Sequence, residues 1–505
     1  MKRKFLLFPI LFLLVSCESN VSNELSEDNK VIDVSDKEHY KSLVDRTKIV
    51  YSEKLENDSS HDVNSIEIFQ LNDTHGAYYT QDDITGIAHV KTCIDQNIDD
   101  PYAVVKIANG DMLQGTAFSN MLLGEPGITA LNEMHFDAFT IGNHEFDWAL
   151  DNLKGYKDGD LSNGELNCPF LGANIIDKNG NRPDWIKPYT VVEKGNVKVG
   201  ILGIIGDGLE NSISKVALDG YSFTSTFDAV DKYCKILKEE EKVDIIILSS
   251  HAHDEVANQR YVNNNKIDCI INGHDHWRVE EYVNRFDGKL VPVIESQTKN
   301  ITIGKVTLNL DENKQMASYS MEHYKPSMYK EDNKLKEMMD VYYDVTSVYQ
   351  NEVIGFIHGG FTKSDLGIST CTYIAEKYDA DITFINTGGI RTDITVSKIT
   401  NGLVYEALPF DNELYITYLK GSELVSMISN NSMSGYYFNN SGIGTGRGYS
   451  ITDVNYNKTY KIVGIDYVVT KDRFANYFNE EHGLILTGDY IRECAIENIK
   501  QNFKI

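Results

Sequence analysis

The chain is poor in several things. It has nine prolines and three tryptophans in 505 residues, and no apolar run reaches the ~20 residues that span a bilayer, which excludes a polytopic membrane protein. Basic residues are scarce: 48 Lys plus Arg stand against 75 Asp plus Glu, for a net charge of −27. A surface that acidic excludes a nucleic-acid polymer as partner, although a local metal pair can still draw in a small anion. The seven cysteines are scattered with no CxxC spacing, so neither a zinc knuckle nor a disulfide framework is indicated. Cys93, Cys168, Cys234, Cys269, Cys371 and Cys494 read as buried free thiols. What is there is globular: 41% hydrophobic and 10% aromatic residues exclude global disorder, and the length calls for more than one domain.

The N-terminus reads as an address. Lys2, Arg3 and Lys4 precede an apolar run over 5–15 that is too short to span, and Leu14-Val15-Ser16-Cys17 follows at a cleavage position. This pattern resembles a bacterial lipobox, with Cys17 as the acylated residue, so 1–17 is expected to be a lipoprotein signal peptide. The expected location is extracytoplasmic, anchored to a membrane through lipid, at the cell surface or in the periplasm. Residues 18–60 are rich in Ser, Asn, Glu, Asp and Lys and are expected to form a flexible tether, with a short helix compatible near 40–55.

Chemistry begins at residue 65. Five short, near-continuous apolar runs, at 65–71, 102–108, 137–141, 244–248 and 268–271, have the pattern of strands buried on both faces. Each run leads into metal-ligand residue types: Asn72-Asp73-Thr74-His75-Gly76, Asn109-Gly110-Asp111, Gly142-Asn143-His144-Glu145-Phe146-Asp147, Ser250-His251 and Asn272-Gly273-His274-Asp275-His276. Ligands in α/β sheets bind beyond the carboxyl ends of strands, so five such endings converge on one site. Asp73 and His75, like His274 and His276, are separated by one residue and share a side if the chain is extended. His144 and Asp147 face each other if it turns helical, which suits a carboxylate-oriented imidazole. These motifs take five of the thirteen histidines; the other eight, His253 among them, read as surface or packing residues.

In this order the motifs resemble the calcineurin-like metallophosphoesterases, and the forms at 72–76 and 142–147 resemble their 5′-nucleotidase/UDP-sugar hydrolase branch. The resemblance implies an α/β fold: an N-terminal αββα sandwich over 61–330, a linker helix over 331–352 and a C-terminal α/β nucleotide-binding domain over 353–505. It implies two divalent metal ions (Zn, Mn, Co, Mg or Ca), one held by Asp73, His75, Asp111 and His276, the other by Asp111, Asn143, His251 and His274. Where this family carries Gln, the chain has His276, and a His favours different metals. Water activated on a metal would be the nucleophile, with His144 and Asp147 as the catalytic dyad stabilising charge on phosphoryl or leaving oxygens.

The resemblance continues in Asn386-Thr387-Gly388-Gly389-Ile390-Arg391 and Leu408-Pro409-Phe410-Asp411-Asn412. It implies substrate contacts from Asn386, Arg391, Phe410 and Asn412, with Phe410 serving the base at some distance from the metal chemistry. Phe474 is the expected second base-stacking ring, displaced by one residue from the family's position, with Arg473 as the alternative. Lys363 stands near where relatives carry a phosphate-facing Arg. The expected function is therefore hydrolysis of nucleoside 5′-monophosphates or related nucleotides. The rivals are a 2′,3′-cyclic phosphodiesterase/3′-nucleotidase, a UDP-sugar hydrolase, and a non-catalytic nucleoside-binding lipoprotein.

Overall fold

Runs dominated by Ile, Val, Leu, Phe and Ala, with single polar residues such as Glu67, Gln70 and Lys106 among them, form strands enclosed on both sides: Ser65–Leu71, Val104–Asn109, Ala138–Thr140, Ile245–His251 and Cys269–Asn272. The computed structural model describes residues 37–504 apart from Asp82, Ser162 and the side chain of Asp472. The signal-peptide reading, Cys17 included, and the tether up to residue 36 lie outside the described residues.

The first three of these strands run parallel within a seven-stranded sheet, beside Ile303–Leu310, which pairs antiparallel with Ser65–Leu71. The other two lie in a six-stranded sheet between Val197–Ile205 and Leu290–Glu295. The sheets pack face to face: Ile66, Ile68, Val105 and Ile107 from the first share one core with Val199, Ile201, Ile245, Ile247 and Ile271 from the second. The outer face of the second sheet is covered by the helices Thr226–Glu239 and Glu255–Asn264. The former shows why it is helical. Ser225 caps its first turn by accepting from the Asp228 N–H, and Val230, Cys234 and Leu237 fall on one buried stripe.

The helix Asn333–Gln350, capped by Asp332, buries Leu335, Met338, Met339 and Tyr342. It packs against catalytic-domain helices and against Asn401–Ala407 of the C-terminal half, so it clamps the two halves as well as connecting them. That half is built on a five-stranded sheet with Ile382–Asn386, Thr459–Ile465 and Glu413–Lys420 at its centre. Among the described residues no helix is long and apolar enough to cross a membrane. All six cysteines from Cys93 to Cys494 are buried and free.

The tether reading is corrected from Lys37 on. The chain forms the helix Lys37–Ser42, buries Tyr40, and lies against the body. Arg46 Nε and Nη2 donate to the buried Glu125 at 2.7 and 2.6 Å, and the Ser52 N–H donates to Glu133 at 2.7 Å. Lys37 pairs with Asp411, beside Phe410. The polar composition suggested solvent; in the fold, Arg46 neutralises the buried Glu125 and Lys37 the half-buried Asp411, both on distant segments.

Candidate active site

The carboxyl ends of the five strands meet at one place, and there the backbone leaves the extended region. Asp73, His75, Asp111, His274 and His276 have φ of +49°, +47°, +53°, +85° and +64°. Side chains other than glycine adopt this region at a cost of about 1–3 kcal/mol each, and such strain collects where function demands a fixed geometry. It also corrects the one-residue spacing argument. His274 and His276 do not share a side. His274 joins Asp111 and His251, and His276 joins Asp73 and His75, each trio with its ligand atoms within 4.8 Å of one another.

Within the first trio, His276 Nε2 is 3.1 Å from His75 Nε2 and 3.3 Å from Asp73 Oδ1. Within the second, His251 Nε2 lies 3.1 Å from Asp111 Oδ2. Asn143 Oδ1 is 2.9 Å from His274 Nδ1 and 3.3 Å from His251 Nε2. Each carboxylate has one oxygen committed. Asp73 Oδ2 accepts from the Asn72 amide and the His274 N–H, and Asp111 Oδ1 accepts from the His144 N–H. The other oxygens, Asp73 Oδ1 and Asp111 Oδ2, are buried without a hydrogen-bond partner, as is Asn143 Nδ2. Orphaned carboxylate oxygens beside inward-facing ring nitrogens are a donor set for divalent cations.

Surrounding groups hold the ligands in place. His75 Nδ1–H donates to the Gln114 carbonyl at 3.1 Å and His251 Nδ1–H to the Asn109 carbonyl at 2.9 Å. A carbonyl only accepts, so both rings present Nε2 inward. The Glu145 carboxylate accepts from the N–H groups of Asp111, Met112 and Gly142, each at 2.8 Å, locking the two loops together. Its motif was legible, but this clamp was not. Gly110, at φ +79°, gives way to the His251 ring, since a Cβ there would lie 2.1 Å from Nδ1. Burial holds His75 well below the usual imidazole range. Burial also opposes charge on His251, yet Asp111 pulls it up to about 10, so a cation there must displace a proton.

Past Gly142, His144–Phe146 makes the expected tight helical turn, and His144 Nδ1 lies 2.8 Å from Asp147 Oδ2. Its Nε2 is 3.9 Å from Asp111 Oδ2, at the edge of the second trio. Burial disfavours the imidazolium, but Asp147 and Asp111 outweigh it and raise His144 to about 9. A cavity of about 600 Å³ opens from here and is shared by both halves: Asp111, Asn143, His144 and Asp147 line one wall, Asn386, Arg391, Phe410 and Asn412 the other. A second cavity of about 550 Å³ lies past His75 and His276 and is lined by Lys299, Lys363 and Arg391.

Comparison with known proteins places this architecture. Residues 66–278 match the calcineurin-like phosphoesterases and residues 345–480 the 5′-nucleotidase C-terminal domain. The chain belongs to the 5′-nucleotidase family of calcineurin-like phosphoesterases. It is a phosphoester hydrolase of a class that uses divalent metal. It is 26% identical to an apyrase from Tabanus yao over 71% of this chain and 72% of that one. It is 24% identical to a 5′-nucleotidase from Vibrio vulnificus over 72% and 75%. Its fold matches a 5′-nucleotidase precursor from Thermus thermophilus with a TM-score of 0.72 at 20% identity, over 87% of this chain and 97% of that one.

On the C-terminal wall of this 5′-nucleotidase-family fold, two expectations change. Phe474 is not a base-stacking ring: it has no exposed surface and packs at 5.6 Å from the Phe384 ring and 6.0 Å from that of Tyr436. Turned into the core by the short helix Asp472–Ala475, it never reaches the cavity. Arg473 bonds the Tyr436 hydroxyl and also does not line the main cavity. The aromatics that do line it beside Phe410 are Tyr467 and Tyr490, which no motif announced. Nor is Phe410 remote from the His144–Asp147 pair; its ring stacks on that of His144 with centroids 5.5 Å apart.

Proposed function

We propose that this protein hydrolyses nucleoside 5′-phosphates to nucleoside and phosphate, and that one observation carries the reading: the two metal-ligand trios, the His144–Asp147 dyad and the aromatic C-terminal wall open into one cleft. Two divalent ions would be held by Asp73, His75, Asp111 and His276 and by Asp111, Asn143, His251 and His274. When bound, they supply Lewis acidity toward phosphoryl oxygens and acidify water. The chain's own part is orientation and charge. Asp147 fixes the ring of His144 by accepting from Nδ1–H, which leaves Nε2–H to donate to a phosphoryl or leaving oxygen. Arg391, exposed and 5.8 Å from the Phe410 ring, meets the anion from the other side. Phe410 and Tyr467 offer faces to a base, and the unpartnered Asn386 Oδ1 offers an acceptor. Asn412 is held by Asp466 at 2.9 Å and shapes the same wall.

The second cavity favours one extension of this reading. Lys299, Lys363 and Arg391 beyond His276 suit a further anionic group, as in UDP-sugars or nucleoside diphosphates. Phosphate release should be compared over AMP, ADP, UDP-glucose, 2′,3′-cyclic AMP and p-nitrophenyl phosphate, with Mn²⁺, Co²⁺ or Zn²⁺ and with chelator. The reading expects AMP to show the highest kcat/KM and chelation to abolish turnover. A preference for the cyclic nucleotide would make it a cyclic phosphodiesterase, and nucleoside binding without turnover under every metal would make it a binder. An extracytoplasmic, lipid-anchored location through Cys17 belongs to the same reading; Cys17→Ser should lose acylation and release the protein from membranes.

A further inference from the structure

A separate group of ligand-type side chains surrounds His253, two residues past the strand Ile245–His251. On the Nδ1 side of its ring lie Glu295 Oε2 at 3.7 Å and Asp275 Oδ2 at 3.9 Å; on the Nε2 side lies Glu281 Oε2 at 3.7 Å. Glu255, the first residue of the helix Glu255–Asn264, completes a trio with His253 and Glu281 whose ligand atoms are all within 4.8 Å of one another. None of these side chains takes part in the two trios of the cleft.

Two observations separate this group from a patch of surface acids. The Glu295 side chain is 0% exposed, and neither of its oxygens has a hydrogen-bond partner, although it faces the imidazole. His253 Nε2 is likewise buried and unpartnered. Among the described residues, no Lys or Arg forms an ion pair with Glu255, Asp275, Glu281 or Glu295. Glu255 and Glu281 gathered without a cation repel each other. A separation of 3.7 Å is too long for a hydrogen bond. It is close to the roughly 3.4 Å between two tetrahedral ligands that each lie about 2.1 Å from one ion.

We propose that His253, Glu255 and Glu281 bind a further divalent cation, with His253 Nε2 as the nitrogen ligand. Glu295 lies on the Nδ1 side of the ring at 3.7 Å without a hydrogen bond, so the nitrogen that faces Glu281 is Nε2. One imidazole with carboxylates suits Zn²⁺, Co²⁺ or Mn²⁺ better than the all-oxygen shells of Ca²⁺ or Mg²⁺. The ion ties the start of one helix to the strand Val279–Asn284, outside the cleft.

The test uses the full chain loaded with Zn²⁺ and dialysed. Metal content by mass spectrometry is compared between the wild type, Glu281→Gln and Glu255→Gln, two changes at the accessible edge of the site. Each variant is expected to hold one ion fewer per chain, with phosphate release at saturating metal within about twofold of the wild type. Crystals of the wild type should show an anomalous peak at His253 Nε2 at the zinc edge. Equal ion counts in all three proteins, or no peak there at millimolar zinc, overturn the proposal. Loss of all ions together in either variant overturns it too, because the site would then not be separate from the cleft.

Discussion

On the metal-ligand wall of the cleft, five of the seven candidate ligands are buried, His274 and His276 are half-buried, and five of the seven stand on left-handed backbone. On the C-terminal wall, Arg391 is exposed, Phe410, Asn412 and Tyr467 are only half-buried, and Asn386 Oδ1 has no partner. Under the proposed function, the first wall would be assembled before substrate arrives, while the second would leave Arg391 and Asn386 Oδ1 to meet the ligand. Charge development at phosphorus demands fixed donors and acceptors, whose value depends on avoiding reorganisation. Recognition of a base rests on stacking, which tolerates variation.

The sharpest way to break this contrast is at Asp111, whose backbone N–H, Oδ1 and Oδ2 are all engaged in the second trio or its supports. Asp111→Ala should lower phosphate release beyond the ~10⁴-fold upper end for a single acid–base group, with metal content falling in parallel. Retained turnover in a verified metal-free sample would show that the trios are not the chemical centre. Next is the dyad. His144→Ala should cut kcat by ~10²–10⁴ while the metal count stays unchanged; if metal and turnover drop together, His144 is a ligand.

Phe474 tests the corrected assignment. Phe474→Ala should cost about 3–5 kcal/mol of stability, as for other fully buried rings, read as a lower denaturant midpoint, while KM for AMP in the folded fraction is unchanged. A specific rise in KM without destabilisation would restore it to the substrate wall. The smallest effect separates the two walls most finely. Tyr467→Ala should lose roughly 1–3 kcal/mol, the worth of one stacked base, in kcat/KM for AMP and nothing for p-nitrophenyl phosphate. Phe410→Ala should impair both substrates, because its ring also touches His144. Identical profiles for the two variants would mean that the walls are not functionally separate.

Much of the catalytic wall was legible because it is local. Each ligand type follows its own buried strand within a few residues, and Gly110 and Gly142 mark where the backbone must yield. The pairing of His144 with Asp147 was legible for the same reason, being three residues apart on one turn. The substrate wall was less so. Asn386, Arg391, Phe410 and Asn412 line the cavity as their motifs suggested, but whether Phe474 points to the core or to the cavity depends on Phe384 and Tyr436, over thirty residues away. Composition misled at 37–60, where polarity marked partners for Glu125, Glu133 and Asp411 as well as exposure to water.

By itself the sequence determined the two-part α/β architecture, the buried parallel strands and the ligand types waiting at their ends. Periodicity and burial act through neighbours along the chain, so those features are written locally. Only the tertiary structure decided that Glu145 locks two loops, that Tyr467 and not Phe474 faces the cleft, and that His253 gathers carboxylates from three distant segments besides its neighbour Glu255. These depend on side chains brought together across long loops, where a single left-handed residue redirects a ring and no residue records its distant partner.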